Sequence, residues 1–178
     1  TYKGLSSKSL GSSALAIYLD MDAGGKWAFI NINAKAIPVS QKDLSEDSDE
    51  LGYKGKLGRQ KDLLKTNEFI TNVYTQLAVG KGLSGVFICG DWGYRMLSPI
   101  SKRELLAFTS EQLQQVFQDR DELTQQLGKQ LIPGLLEAEV KFFPTCQEKK
   151  GSSYYTGWCD RVLYNQKPGV TITPVEYN

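Results

Sequence analysis

Residues 86–89, Val-Phe-Ile-Cys, stand between Gly85 and Gly90 with no polar residue among them. A run so short and so uniformly apolar, closed at both ends by glycine, predicts a central strand buried on both faces. A strand of that kind needs partners on either side. Residues 14–19 (ALAIYL) and 27–32 (WAFINI) are two further apolar runs, and Asp22-Ala-Gly-Gly25 between them carries turn residues, so the pair predicts a hairpin. Residues 140–143, 158–164 and 170–175 are additional strand candidates.

Helices fall between these runs. Residues 59–79 place Leu63, Ile70, Tyr74 and Leu77, with Val73 alongside, at helical spacing, and Gly80-Lys-Gly82 follows as a stop. Ser101-Lys-Arg-Glu104 and Thr109-Ser-Glu-Gln112 are capping boxes that start short helices over 104–108 and 111–118. A third short helix is expected over 121–127, ending at Gly128. Residues 40–56 turn to Asp, Glu, Ser, Gly and Lys, which reads as a mobile, solvated polar loop. Strands alternating with helices around a buried strand make a mixed α/β (α+β) layered domain, one domain over residues 1–178, and the hairpin argues against a purely parallel sheet.

Composition narrows the chemistry. The chain has 178 residues, 21 Lys and Arg against 20 Asp and Glu, and no histidine. That excludes a Ser-His-Asp triad, a Cys-His pair and histidine-ligated zinc within this chain. A net charge of +1 gives no reason to expect nucleic acid as a partner through charge alone. Cys89, Cys146 and Cys159 show no CxxC spacing and read as three reduced thiols of a cytoplasmic protein. No apolar run approaches the roughly 20 residues that span a bilayer. Beginning at Thr1 rather than Met, the sequence reads as a processed product or part of a longer one.

The strand at 86–89 runs into Gly90-Asp-Trp-Gly-Tyr-Arg95. Ligands of open α/β sheets gather outside the C-terminal ends of strands, where loops project side chains into a crevice. Asp91 in that position can orient water or help hold a hard cation, and Arg95 can meet a phosphate through its planar fork. The plainer alternative is an Asx turn at a strand end with Arg95 solvated. Asp160 and Arg161, in a strand-like run beside Trp158, fit a structural polar pair within a sheet. Lys149-Lys150-Gly151 fits a solvated turn.

Together these segments resemble the inositol polyphosphate 5-phosphatases of the exonuclease–endonuclease–phosphatase superfamily. Residues 90–95 (GDWGYR) are similar to that family's GDxNYR signature. Phe143-Pro-Thr145 and Trp158-Cys-Asp-Arg-Val-Leu163 are similar to FxPTYK and PAWCDRIL, in the same order. More distantly, Gly11-Ser-Ser-Ala-Leu-Ala-Ile17 resembles GNKGAVAIR, residues 29–36 (FININAKA) stand where the family has SHLAAH, and Arg59 is near its paired arginines.

The resemblance implies a layered β-sandwich, two sheets face to face with helices outside, incomplete in this chain alone. It implies Mg²⁺ and an activated water that attacks the 5-phosphate of inositol polyphosphates or phosphoinositides. On it, Asp91 is the water-activating aspartate and Asn33 takes the place of the first SHLAAH histidine, with Ile37 at the second. Tyr94, Arg95, Asp160 and Arg161 fall at substrate-binding or supporting positions. No metal ligand is assigned, since the glutamate and asparagine of the family's N-terminal half and the closing SDHKPV strand have no counterpart between Thr1 and Asn178.

The departures point one way. Gly93 replaces the signature asparagine, Gln147 replaces the lysine of PTYK, and Tyr154-Tyr155-Thr156-Gly157 replaces an arginine-containing stretch. Each removes a donor or a positive charge. The expectation is a catalytically impaired phosphatase-related domain acting as a binding, regulatory or scaffold module. The alternative is an active Mg²⁺-dependent phosphatase completed by another segment or chain. Expected partners are an inositol phosphate or phosphoinositide, with peripheral membrane contact, and a protein partner or second copy covering exposed sheet edges.

Overall fold

The computed structural model describes residues 2–7, 12–22, 24–34, 49–97, 100, 102–130, 133–150 and 153–177. In chain order the elements are β1 (Tyr2–Ser7), β2 (Ser12–Met21), β3 (Gly25–Asn33), α1 (Asp49–Leu77), β4 (Gly85–Asp91), α2 (Lys102–Ala107), α3 (Ser110–Arg120), α4 (Glu122–Gly128), β5 (Leu136–Glu137), β6 (Cys146–Lys150), β7 (Ser153–Gly157) and β8 (Asp160–Gln166). A six-stranded sheet runs in the order β1-β2-β3-β4-β8-β5, and β6 and β7 form a separate hairpin. Within the sheet β3 and β4 are parallel and the other pairs antiparallel. The fold is therefore mixed α/β, with the predicted β2–β3 hairpin and β4 in a central position.

The two faces of this sheet differ sharply. On one, the small side chains of Ala14, Ala16 and Ala28 and the branched ones of Ile30, Ile32, Val86 and Ile88 are buried against Phe69, Ile70, Val73 and Leu77 of α1. The crossover helix α1 joins the parallel strands β3 and β4 and covers this face, as such connections do. Tyr18 closes the contact by donating its hydroxyl proton to the Leu77 carbonyl at 2.7 Å. A second cluster, with Met96, Leu113, Phe117, Val140 and Trp158, packs α2 and α3 beside the sheet.

The other face is open. Leu15, Ile17, Leu19 and Met21 of β2, Phe29 of β3 and Val162 of β8 are all exposed there, Ile17 by 50% and Phe29 by 40%. Phe87 of β4 stacks on Phe29 at 5.3 Å between ring centroids and on Trp27 at 6.0 Å, and Tyr164 lies 6.3 Å away, so an aromatic row crosses the bare face. The expectation that β4 is buried on both faces holds for Val86 and Ile88 only; Phe87 and Cys89 are half-exposed.

Several expected boundaries move. Residues 49–56 belong to α1, not to a polar loop, and residues 40–48 lie outside the described ones. Residues 140–143 and 170–175 are not strands. The Val140 and Phe142 carbonyls accept instead from the Gln114 and Trp158 side chains, and the Ile172 N–H donates to Gln166 Oε1 at 2.6 Å. The Thr109 capping box forms in both directions, with Gln112 N–H donating to Thr109 Oγ1 and the Thr109 N–H donating to Gln112 Oε1. The Ser101 box lies outside the described residues. Asp121 serves as both C-cap of α3 and N-cap of α4.

Candidate functional site

Asn33, Asp91 and Asp160 stand in one row across the end of the sheet. Asn33 pairs with Asp91 in the parallel β3–β4 register, and Asp91 pairs with Asp160 in the antiparallel β4–β8 register. Register partners project to the same face. Counting in steps of two along β3 from Asn33 through Asn31 to Phe29 places that row on the open face, at its rim. Asn33 and Asp160 are exposed and Asp91 is half-buried.

The backbone around Asp91 is fixed from both sides. The Ala34 N–H donates to the Asp91 carbonyl at 2.7 Å, and the Trp92 N–H donates to the Cys159 carbonyl at 2.8 Å. Asp91 Oδ1 accepts the Gly93 N–H at 2.8 Å, which is the Asx turn expected from the sequence. Two glycines are obligatory here. Gly90 has φ +116° and Gly93 φ +72°, and a Cβ on either would lie 2.1 Å from the Ile32 carbonyl oxygen or 2.4 Å from that of Ala34. Burial raises the Asp91 carboxyl above its ordinary pKa; the Gly93 N–H and Arg95 oppose this, and the charge of Asp160 adds to it.

Arg95 turns beneath the row. Its Nη1 donates to Cys146 Sγ at 2.9 Å and to Cys159 Sγ. Thr145 Oγ1 accepts both the Cys159 N–H at 3.1 Å and the Asp160 N–H at 3.0 Å, which locks the end of the 143–145 segment onto the start of β8. Sequence reasoning assigned no role to Thr145 and did not join the two cysteines. For Thr145 the signal was there, since it stands at the threonine of the resembled PTYK motif.

Tyr94 and Arg161 sit elsewhere. Both are 1% exposed and lie on the covered side, away from the Asn33–Asp91–Asp160 row, which is the supporting position of the two expected for them. The Tyr94 hydroxyl donates to Asn67 Oδ1 at 2.7 Å, and burial and the Glu122 charge keep it protonated far above its usual range. The Arg161 guanidinium is gripped by both carboxylate oxygens of Glu137, by Asp121 at 2.9 Å and by the Trp158 carbonyl at 3.3 Å, and it lies 4.8 Å over the Phe117 ring. Burial alone would lower its pKa, but Glu137 and Asp121 outweigh that and hold it charged. Glu137 has a side chain only 9% exposed.

The described residues do not by themselves fit a divalent cation. Two carboxylates and one amide make the row, and no group of three His, Cys, Asp or Glu side chains among the described residues is arranged to hold a metal.

A half-buried aspartate at the C-terminal end of a central strand, at a sheet rim, is where ligands of open α/β sheets gather. The family model for the endonuclease/exonuclease/phosphatase family 2 matches residues 2–178, and the chain belongs to that family. The inositol polyphosphate 5-phosphatase domain of SPsynaptojanin, solved with inositol (1,4)-bisphosphate and calcium ion, superposes with a TM-score of 0.59 at 19% identity, over 94% of this chain and 47% of that one. The ferrous NO complex of Cimex nitrophorin superposes with a TM-score of 0.65 at 17% identity, over 100% of this chain and 57% of that one. The chain thus spans about half the length of the solved structures it matches, and at these identities the likeness is one of fold. No functionally curated protein is significantly similar to it. Among the described residues no helix is long and apolar enough to cross a membrane.

Proposed function

We propose that the chain is part of a 5-phosphatase-related module that engages the phosphates of inositol phosphates or phosphoinositide headgroups and is impaired in hydrolysis. It would act by binding, as a regulator or scaffold in the cytoplasm, and at membrane surfaces when the headgroup is lipid-borne. Gly93 carries this reading. Asp91, by resemblance the water-orienting carboxylate, is half-buried, yet two residues on a Cβ would meet the Ala34 backbone. The amide expected there by resemblance is therefore absent from the sequence and disfavoured by the backbone conformation. A preorganised amide donor aimed at developing charge is worth about 3 kcal/mol of barrier. Asn33 likewise offers a neutral amide where a titrating imidazole is expected, and Arg95 is engaged with two sulfurs.

The open face supports a second reading. The Asn33–Asp91–Asp160 row lies at the rim of an uncovered apolar surface, so a second sheet laid on it would bring further side chains beside Asp91. A glutamate and a histidine supplied that way, with Mg²⁺, would make an active phosphatase. Phosphate release measured with Mg²⁺, soluble inositol phosphates and phosphoinositide vesicles separates the two. Headgroup binding without release supports the impaired module, and release that disappears in Asp91→Ala overturns it.

A further inference from the structure

We infer that Cys146 and Cys159 are a dithiol that closes to a disulfide beside the Asp91 row when the protein meets a small-molecule disulfide such as oxidised glutathione. The pair is assembled by tertiary structure. Cys146 opens β6 opposite Gly157 of β7, and Cys159 follows two residues beyond that partner. Thr145, the neighbour of Cys146, is tied through its hydroxyl to the backbone N–H groups of Cys159 and Asp160. Both sulfurs accept from the same guanidinium nitrogen of Arg95, and the Cys159 thiol donates to the Tyr94 carbonyl at 3.5 Å. No backbone segment has to cross the molecule to bring them together.

The two sulfurs differ in access, which sets the order of events. Cys146 is half-exposed and Cys159 is buried. Cys146 attacks one sulfur of the small disulfide; that S–S bond breaks, a mixed disulfide forms on Cys146, and one small thiol leaves with a proton. Cys159 then attacks Cys146 Sγ, the mixed disulfide breaks, and the second small thiol leaves with the second proton. One disulfide is consumed, one is formed, and two electrons pass from the protein thiols to the small molecule. The contact with Cys146 and burial hold the Cys159 thiol protonated well above its ordinary range, and Arg95 opposes them, so resolution by Cys159 is the slower of the two steps. Cys89 has a separate environment, with its thiol donating to the Ile30 carbonyl at 3.5 Å, and takes no part.

Peptide mapping reads the outcome. The protein is equilibrated in buffers of graded reduced-to-oxidised glutathione ratio, quenched in acid, alkylated and digested with trypsin without reduction. Cleavage after Lys141, Lys149, Lys150 and Arg161 separates the two cysteines into peptides 142–149 and 151–161, so a disulfide appears as one joined species. The joined species should accumulate as the buffer becomes oxidising, while the Cys89 peptide stays alkylated. It should vanish in Cys146→Ser and persist unchanged in Cys89→Ser. Separately alkylated peptides across the whole series overturn the inference. So does a glutathione adduct on Cys146 that Cys159 never resolves, or a joined species that requires Cys89.

Discussion

Arg161 of β8 and Glu137 of β5 face each other through a two-pronged ion pair on the covered side of the sheet, with Asp121 at the junction of α3 and α4 completing the grip. Both faces of that arrangement are closed, since the Arg161 and Asp121 side chains are 0% and 1% exposed. The pair ties the sheet edge to the helical layer, and Tyr177 extends it by donating its hydroxyl proton to Glu137 at 3.0 Å.

Removing Arg161 leaves two buried carboxylates without their cation. Breaking a buried ion pair from one side costs about 3–5 kcal/mol, so Arg161→Ala should lower unfolding stability by that order in urea titration. Arg161→Lys should recover little, because a single ammonium cannot serve both oxygens of Glu137 and Asp121 at once. A loss under about 1 kcal/mol in Arg161→Ala would mean that the network is dispensable.

Much of this fold was legible in the sequence, and the failures have identifiable causes. β4, the β2–β3 hairpin, α3 and the Thr109 capping box each follow from local apolar pattern or side-chain capping, which act within a few residues. α1 begins at Asp49, where Gly52, Gly55 and Gly58 and the polar residues between them erase the helical apolar period. Residues 140–143 have the composition of a strand, but their carbonyls are taken by side chains of Gln114 and Trp158, distant in sequence. The separation of Arg161 from Asp160 was legible too: neighbours in a strand point to opposite faces, so only one of the two can stand in the row beside Asp91. The thiol pair was out of reach because its partners meet only through the tertiary position of Arg95.

Restoring the resembled motif should fail. Gly93→Asn places a Cβ 2.4 Å from the Ala34 carbonyl oxygen at φ +72°, and the obstacle is backbone, which cannot swing aside. Strain of this kind costs about 1–3 kcal/mol, and thermal or urea unfolding should show a loss in that range. Phosphate release should not rise. A stable Gly93→Asn variant that gains hydrolysis would remove the main support for an impaired module.

Asp91 should make stability depend on pH in the sense of a buried acid. Its folded pKa lies above its ordinary value, chiefly through desolvation, so the folded state favours the protonated form. The contribution is fully present below the ordinary carboxylate pKa of about 4 and is lost as pH rises through the folded value. Asp91→Asn keeps an oxygen for the Gly93 N–H and removes the titration. It should therefore be more stable than the parent at neutral pH, with the gap closing in acid. A gap of equal size at both ends of the pH range would show that ionisation of Asp91 is not its source.

The bare face should govern how the 178-residue chain behaves when studied by itself. Leu15, Ile17, Leu19 and Met21 on β2 and Phe29 on β3 form a continuous apolar surface, with the Trp27, Phe87 and Tyr164 rings between and beyond them. Contiguous apolar patches larger than a few hundred Å² are rare on monomers. The chain spans 47% of the 5-phosphatase domain it superposes on. With this face uncovered, two copies should associate through it, and light scattering after size-exclusion chromatography should report a mass above that of one copy. Ile17→Lys together with Phe29→Lys puts two charges into the middle of the face and should return the chain to a monomer. A parent chain that elutes as a monodisperse monomer would show that the face tolerates water, and the expectation of a covering partner would fall with it.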